Sequence, residues 1–341
     1  MKVFVTDCEG PITKNDNAFE LCCHFIPKGE ELFRVLSRYD DYLYYVEKRQ
    51  GYQAGTTLKF VFPFLLAFGI TEEKMLDFSL RTLTIMPKAI EALRSIRGVM
   101  PVFIVSTSYA PYLKALCGIL GISMEQVFCT SFDLEGIEFT ERDKRALREL
   151  AREIASFEVP QDLTHERALK IWERLDAIFF KGGLRYLEGL LSRIETVGAK
   201  EKARAVKEVI KRTGSSLQEV MYVGDSITDF EALRDVREGG GLSVAFNANR
   251  YALEVAEVAC LAEDLYPLAV MAYLFYRGGK EEVLKAAMDW KEVPLLRKGV
   301  PSEWLSEAKV GIISKENVAF WVLESESWRK RIRGVKIGEL G

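Results

Sequence analysis

Short apolar, β-branched runs recur along the chain at residues 2–6, 102–105, 127–129, 220–223 and 242–246, with a sixth at 258–261. Runs of that length without polar alternation predict strands covered on both faces, as in a parallel sheet. Between them, residues 88–96, 112–120, 202–211 and 228–234 repeat apolar positions every three to four residues and predict helices. Alternating strands and helices imply an α/β fold, a Rossmann-like three-layer α/β/α core around a parallel sheet.

Two stretches break the alternation. Residues 14–86 read as helices only: 30–49 is a long amphipathic pattern, 58–67 is apolar almost throughout, and a new helix starts at Thr71 with Glu72, Glu73 and Lys74 in its first turn. Residues 140–194 are rich in Arg, Lys, Glu, Leu and Ala, with Pro160 as an internal stop. Both predict helical inserts in the loops of the sheet. The expected division is therefore a core of residues 1–13, 87–139 and 195–262, a helical cap at 14–86, a second helical insert at 140–194, and a C-terminal helical extension and tail at 263–341. Within that extension, 265–276 and 280–290 read as helices, 310–313 as a strand, and 328–333 as a basic ending. No function attaches to the tail in the sequence.

Composition narrows the class of protein. With 341 residues, 48% of them hydrophobic, the chain can bury a large core and is too apolar to stay disordered. Its 47 basic and 50 acidic residues nearly cancel, so no general field favours nucleic acid or an anionic membrane. The longest apolar runs, 60–70 and 265–276, each contain a proline and fall short of the roughly 20 residues a spanning helix needs. The N-terminus has a charge at Asp7 and no signal-peptide pattern, which predicts a cytoplasmic protein without membrane insertion. Six cysteines, at 8, 22, 23, 117, 129 and 260, show no C-x-x-C spacing, so neither a zinc site nor a disulfide framework is expected. His24 and His165 are the only histidines, too few for most triad or metalloprotease arrangements. Catalysis would have to run on carboxylates, lysine and hydroxyls.

Those residue types stand at strand ends. Asp7-Cys8-Glu9-Gly10 follows the first strand, and residues two apart project to one side, so Asp7 and Glu9 share a face while Cys8 points away. Gly10 would let the backbone turn and present its N–H to an anion. Gly224-Asp225-Ser226-Ile227-Thr228-Asp229 follows another strand, and Asp229 returns to the side of Asp225 after four residues. The carboxyl ends of parallel strands are where open α/β sheets bind ligands. Four carboxylates there suit an anionic substrate only if a cation neutralises them, and oxygen-only ligation is what Mg²⁺ prefers. Ser106, followed by Thr107, ends a third strand and can donate to a phosphate oxygen without adding charge. Lys202, with Lys200 as competitor, opens the helix leading to the 220–223 strand and offers a point charge suited to phosphate.

In chain order, a carboxylate pair, a hydroxyl, a lysine and G-D-S-x-x-x-D resemble the four motifs of the haloacid dehalogenase superfamily of phosphohydrolases. The resemblance covers residues 1–13, 101–108 and about 200–261. From Lys202 to Asp225, and again at 241–249, it looks most like the phosphoserine phosphatase branch, and the lysine spacing there favours Lys202 over Lys200. The opening FVTDCEGPITKNDNAFEL is similar to an archaeal group sometimes labelled energy-converting hydrogenase A subunit R. The resemblance implies a Mg²⁺-dependent phosphatase acting on a small phosphorylated metabolite, with Asp7 as nucleophile and Glu9 as general acid and base. Mg²⁺ would be held by Asp7, the backbone carbonyl of Glu9 and Asp225, with Asp229 direct or through water. Ser106, Thr107, Lys202 and Gly10 would bind phosphate. The sequence departs from the family in placing Glu9 where aspartate is usual and Pro11 where threonine is usual. That departure, with the two inserts and the unmatched tail, leaves as an alternative a catalytically weak or inactive, hydrogenase-associated binding or assembly subunit; a third possibility is a phosphotransferase, which passes the phosphoryl group to an acceptor other than water. A homo-oligomer or a protein partner is compatible with either.

Other residues have plainer readings. Cys8 reads as a buried thiol, Cys22 and Cys23 as cap-core residues, and His24 as a partly buried structural histidine. Phe60, Phe62, Phe64 and Phe68 read as the inner face of a small helical cap, and the basic run 329–333 as a solvated face.

Overall fold

The computed structural model describes residues 1–135, 140–181, 185–290 and 308–334. Parts of the predicted core at 136–139, of the second insert at 182–184 and of the tail at 291–307 and 335–341 lie outside the described residues. All six apolar runs form strands: β1 (Val3–Thr6), β2 (Val102–Tyr109), β3 (Val127–Phe132), then β5 (Val220–Gly224), β6 (Leu242–Phe246) and β7 (Val258–Ala262). Two more strands join the edges, β4 (Ile194–Glu195) against β3 and β8 (Ala308–Ile312) against β7, both antiparallel. The order is β4-β3-β2-β1-β5-β6-β7-β8, with parallel pairing from β3 through β7.

The period of two decides which side chain meets which layer. Phe4, Val102, Ile104, Met221, Val223, Val244 and Cys260 point into one apolar layer, which includes the helices Ala89–Arg97, Ala110–Leu120 and Tyr266–Gly278. Val3, Val5, Phe103, Val105, Val220, Tyr222 and Ala259 point into the other, under the helices Ala199–Thr213, Phe230–Glu238 and Val318–Arg333. Both faces are thus covered, as the unbroken apolar runs require.

The two helical inserts share one interior rather than standing as separate modules. Tyr39 and Tyr42 of the first stack on Trp172 of the second at 5.6 and 5.4 Å, and Phe60 lies 4.6 Å from Phe179. The 30–49 pattern is not one helix: Gly29–Asp41 passes into a π-helical turn, Tyr42–Val46. Thr71 caps the helix Glu72–Thr82 by accepting from the Lys74 N–H, as its first-turn acids imply. Phe60, Phe62 and Phe64 are buried as expected, and Cys8 and Cys22 with them, but Cys23 and His24 are exposed. Their side of the helix Asn17–Phe25 faces outward, so Cys23 is not a cap-core residue and His24 is not a partly buried one.

The tail is part of the core. β8 extends the sheet, and Trp321 of the terminal helix lies directly on Gly311, where a Cβ would stand 2.5 Å from the indole. Trp321 is 7% exposed, whereas its neighbour Phe320 is 52% exposed. Trp321→Ala is therefore expected to lose roughly 3–5 kcal/mol of stability, and Phe320→Ala less than about 0.5 kcal/mol. Urea midpoints of the two variants check this, and equal losses would show that the terminal helix is not packed as described.

Candidate active site

The sheet order places β1 between β2 and β5, so their carboxyl ends bring Asp7, Ser106 and Asp225 to one cleft. Asp7 continues the ladder by donating its N–H to the Val223 carbonyl at 2.9 Å. Gly10 has φ +108°, a region that favours glycine, and a Cβ there would stand 2.4 Å from Oδ2 of Asp225. A Cβ on Gly224 would likewise stand 2.5 Å from Asp229. Gly10 lets the loop after β1 close on the loop after β5, and Gly224 lets that second loop fold back so that Asp229 lies against the strand end.

Lys202 lies between the loops with no exposed surface. Its Nζ donates to Asp7 Oδ2 at 2.7 Å and to Asp229 Oδ1 at 2.8 Å. Burial acts to strip its proton, but Asp229 and Asp7 outweigh that and raise its pKa above the ordinary lysine value. Lys200, the competing residue, is only half-buried and takes no part in an ion pair among the described residues.

Asp229 is saturated. Its Oδ1 accepts from Lys202 and from Tyr222 Oη at 2.8 Å, and its Oδ2 accepts from the N–H groups of Asp225 and Ser226 and from Ser226 Oγ. It therefore holds the lysine and the strand-end loop in place. Asp7, Asp225 and Asp229 each place an oxygen within 4.8 Å of the others, and all three are buried. Hard carboxylate oxygens converging in a buried pocket suit Mg²⁺, so the donor set fits that ion.

Glu9 turns toward the start of the first insert. Its Oε1 accepts from the backbone N–H of Asn17, the first residue of the helix Asn17–Phe25, at 2.6 Å. Burial and the nearby Asp16 push its carboxyl well above the usual range, against the opposing pull of Asn17, Ser108 and Arg333. Ser106 is buried, and its Oγ accepts from the Ser108 N–H at 3.2 Å, while Ser106 and Thr107 both line the cleft. Gly10 does not present its N–H to the cleft as the sequence suggested. That group is donated to the Thr13 carbonyl at 2.8 Å, closing the turn after β1.

The basic run 329–333 is not a solvated face. Arg329 is 2% exposed and donates through Nη1 to Asp225 Oδ2 at 2.8 Å, to the Asp225 carbonyl at 3.0 Å and to the Asn247 carbonyl at 3.2 Å. Arg333 reaches the same Asp225 oxygen at 3.2 Å, and its Nε and Nη2 bind the carbonyls of Lys14 and Asn15. Spacing of four places both arginines on one helix face, the only sequence signal that pairs them. Nothing local connects them with a carboxylate 104 residues earlier. Helical residues of the first insert, including Phe33, Ser37, Asp41, Tyr44 and Leu58, line the cleft from above.

No family model matches the chain. Over its whole length it is similar to gene product AF1437 from Archaeoglobus fulgidus, with 29% identity, a TM-score of 0.83 and 99% of that chain covered. It is also similar to a substrate-bound complex of phosphoserine phosphatase and to a phospho-aspartyl intermediate analogue of phosphoserine phosphatase. Each has 15% identity and a TM-score of 0.50, and each aligns with 78% of this chain and 96% of its own. The fold is that of the haloacid dehalogenase superfamily. A curated phosphoserine phosphatase of Archaeoglobus fulgidus is 38% identical over 73 residues, and this chain spans 20% of its length. The haloacid dehalogenase fold explains why residues so far apart in sequence meet: its parallel crossovers deliver every motif to one edge of the sheet. Among the described residues, no helix is long and apolar enough to cross a membrane.

The electrostatics give a pH dependence for the metal-free protein. Burial pushes the Asp7 carboxyl up to about 8, against the pull of Lys202 and with Asp229 and Asp225 adding to the rise. A folded value above the unfolded one means that the native state binds the extra proton, so the stability this group contributes is fullest below about pH 4 and is lost as pH rises through about 8. The slope from this one group is at most about 1.4 kcal/mol per pH unit. Urea titrations in chelator at pH 5 and pH 8 should show the fall, and Asp7→Asn should make it shallower, the remainder coming from other raised carboxyls such as Glu20 and Asp41; a slope unchanged in Asp7→Asn would contradict the assignment.

Proposed function

We propose that the chain is a Mg²⁺-dependent phosphatase that hydrolyses a small phosphomonoester through an aspartyl-phosphate on Asp7. The observation that carries this reading is the fully buried Lys202 bridging Asp7 and Asp229 beside Asp225. Asp7, the carboxyl side chain of Asp225, the Glu9 carbonyl and, through water, Asp229 would hold the ion. When bound, Mg²⁺ offsets the charge of the phosphoryl oxygens and of the carboxylates around them.

The chain's own residues supply the rest. Lys202 orients the Asp7 carboxylate and, with Ser106 and Thr107, holds the phosphoryl oxygens. Asp7 attacks phosphorus, the bond from phosphorus to the ester oxygen breaks, and Glu9 gives its proton to that leaving oxygen. Its raised pKa suits it to carry a proton at that moment. Glu9 then takes a proton from water, which attacks the phosphorus and releases phosphate and the Asp7 carboxylate. The helical lobe over the cleft serves as the lid that keeps bulk water out during the first step.

A panel of phosphomonoesters, begun with an aryl phosphate, should be hydrolysed in Mg²⁺ and not in excess chelator. Asp7→Asn is expected to abolish turnover, and Glu9→Gln to slow it by about 10²–10⁴. Hydrolysis that survives both chelation and Asp7→Asn, or a folded wild-type protein inert across the panel, would reject the reading.

A further inference from the structure

The lobe above the cleft presents one helix stripe whose polar groups the fold does not use. Phe33, Ser37, Asp41 and Tyr44 follow one another at intervals of three or four residues along the helix Gly29–Asp41 and the π-helical turn Tyr42–Val46, and all line the cleft. Among the described residues, the side chains of Ser37 and Asp41 and the hydroxyl of Tyr44 make no hydrogen bond or ion pair. Asp40, one position before Asp41, is by contrast fully engaged. Its carboxylate accepts from Tyr52 Oη at 2.7 Å, from the Gly55 and Thr57 N–H groups at 3.2 and 3.0 Å, and from Thr57 Oγ1 at 2.7 Å. Burial and the adjacent Asp40 push the Asp41 carboxyl up to about 7, against the pull of Arg38. Arg38 itself turns to the second insert, where it donates to the carbonyls of Pro160 and Gln161.

The cations lie at the other end of the cleft. Among the described lining residues, Arg329 and Arg333 are the only cationic ones, and both are held on Asp225, while Lys202 is enclosed between Asp7 and Asp229. Beyond the strand-end groups, the ionisable side chains facing the cleft are Asp16, Asp40 and Asp41, and one oxygen of Asp16 already caps the Phe19 N–H. We propose that this lobe selects phosphomonoesters whose distal end carries an ammonium group and no carboxylate, with Asp41 as the specificity-determining residue that receives the ammonium. The inference rests on the phosphatase reading, which puts the phosphate among the strand-end groups and leaves the rest of the substrate against the stripe.

The chemistry of the stripe gives the direction. An ammonium has three donors, which the Asp41 carboxyl and the hydroxyl oxygens of Ser37 and Tyr44 can accept, and a cation beside Asp41 favours its ionised form. Phe33 and Leu58, both buried, supply apolar contact for the carbon chain between the two ends. A substrate carboxylate at the same place would find no cation among the described residues of the lobe and would meet Asp41 and Asp16 instead, so its lost hydration would go uncompensated. Phosphoserine, which carries a carboxylate beside its ammonium, does not meet these conditions.

The test compares 2-aminoethyl, 2-hydroxyethyl and carboxymethyl phosphate, esters of nearly equal length that differ in the charge of the distal end, with phosphoserine as a fourth. On the full chain in Mg²⁺, kcat/KM for the aminoethyl ester is expected to exceed that for the hydroxyethyl ester by about tenfold or more, with the carboxymethyl ester and phosphoserine below both. In Asp41→Asn the aminoethyl advantage should shrink to within about threefold, Asp41→Glu should keep most of it, and Asp41→Lys should favour the carboxymethyl ester. Ratios taken within one variant cancel any general loss of activity, and if Asp41→Lys does not fold, the Asn and Glu variants carry the comparison. A wild-type protein that takes the carboxymethyl ester or phosphoserine as well as the aminoethyl ester, or an aminoethyl advantage unchanged in Asp41→Asn, would overturn the proposal. Calorimetric dissociation constants of the same esters should follow the same order without turnover. A chain inert toward every ester that still binds the aminoethyl ester most tightly would reject hydrolysis and keep this inference, whereas an active chain blind to the distal charge would do the reverse.

Discussion

The structure depends on a concentration of like charge that cannot exist alone. Asp7, Asp225 and Asp229 are buried within 4.8 Å of one another, where repulsion between carboxylates is several times stronger than in water. Removing such groups from solvent is unfavourable unless hydrogen bonds and opposite charges replace the lost hydration. Lys202 does this for Asp7 and Asp229, and the arginine pair does it for Asp225. Sheet, crossover helix and terminal helix must all be in place before all three carboxylates are compensated. The site is complete only when the terminal helix is docked.

That dependence accounts for features that otherwise look incidental. Tyr222 lies on β5 with its side chain in the layer that also receives the helix of Lys202, and its hydroxyl ends on Asp229. A purely apolar residue would fill the same space but leave Asp229 one donor short. Asn247, at φ +45°, turns its carbonyl to Arg329 while its side chain pairs with both backbone groups of Ala262. β8 and Trp321 fix the terminal helix against the sheet, and four residues on from Ser325, whose hydroxyl binds the Ala248 carbonyl, Arg329 reaches the site.

The sheet was legible in the sequence because its information is local. An apolar run that stops at Asp7, at Ser106 or at Asp225 carries both the strand and the position of its end, and parallel strands present such ends together. Lys202 was legible through its spacing to Asp225. What stayed hidden depends on contacts between distant segments. Nothing near residues 329–333 says that two of its charges turn inward, since the same pattern on a helix is usually solvated. Gly10 misled for the opposite reason: its conformation was foreseen, but the N–H it frees has Thr13 as a nearer partner. The inserts read correctly as helical, yet their shared interior arises from aromatic contacts, such as Tyr39 with Trp172, that no period in either segment encodes.

Glu9 shows how a departure from a motif can have a physical place. An aspartate there would end one methylene closer to the backbone. The longer glutamate reaches the N–H of Asn17, at the first turn of the insert that covers the cleft, and a carboxylate at a helix N-terminus is favoured by the unpaired amides there. Asp16 already caps that helix through the Phe19 N–H, so the Asn17 amide is available to a second acceptor. The same step from the site runs through Arg333 to Lys14 and Asn15. Two independent side chains, one acidic and one basic, thus connect the strand-end carboxylates to the point where the chain enters the helical lobe. Both contacts fall at the junction of the lobe with the sheet, where Lys14 and Asn15 also pair with Thr82 and Thr84 at the other end of the insert, so the strand-end carboxylates and the junction are held as one unit.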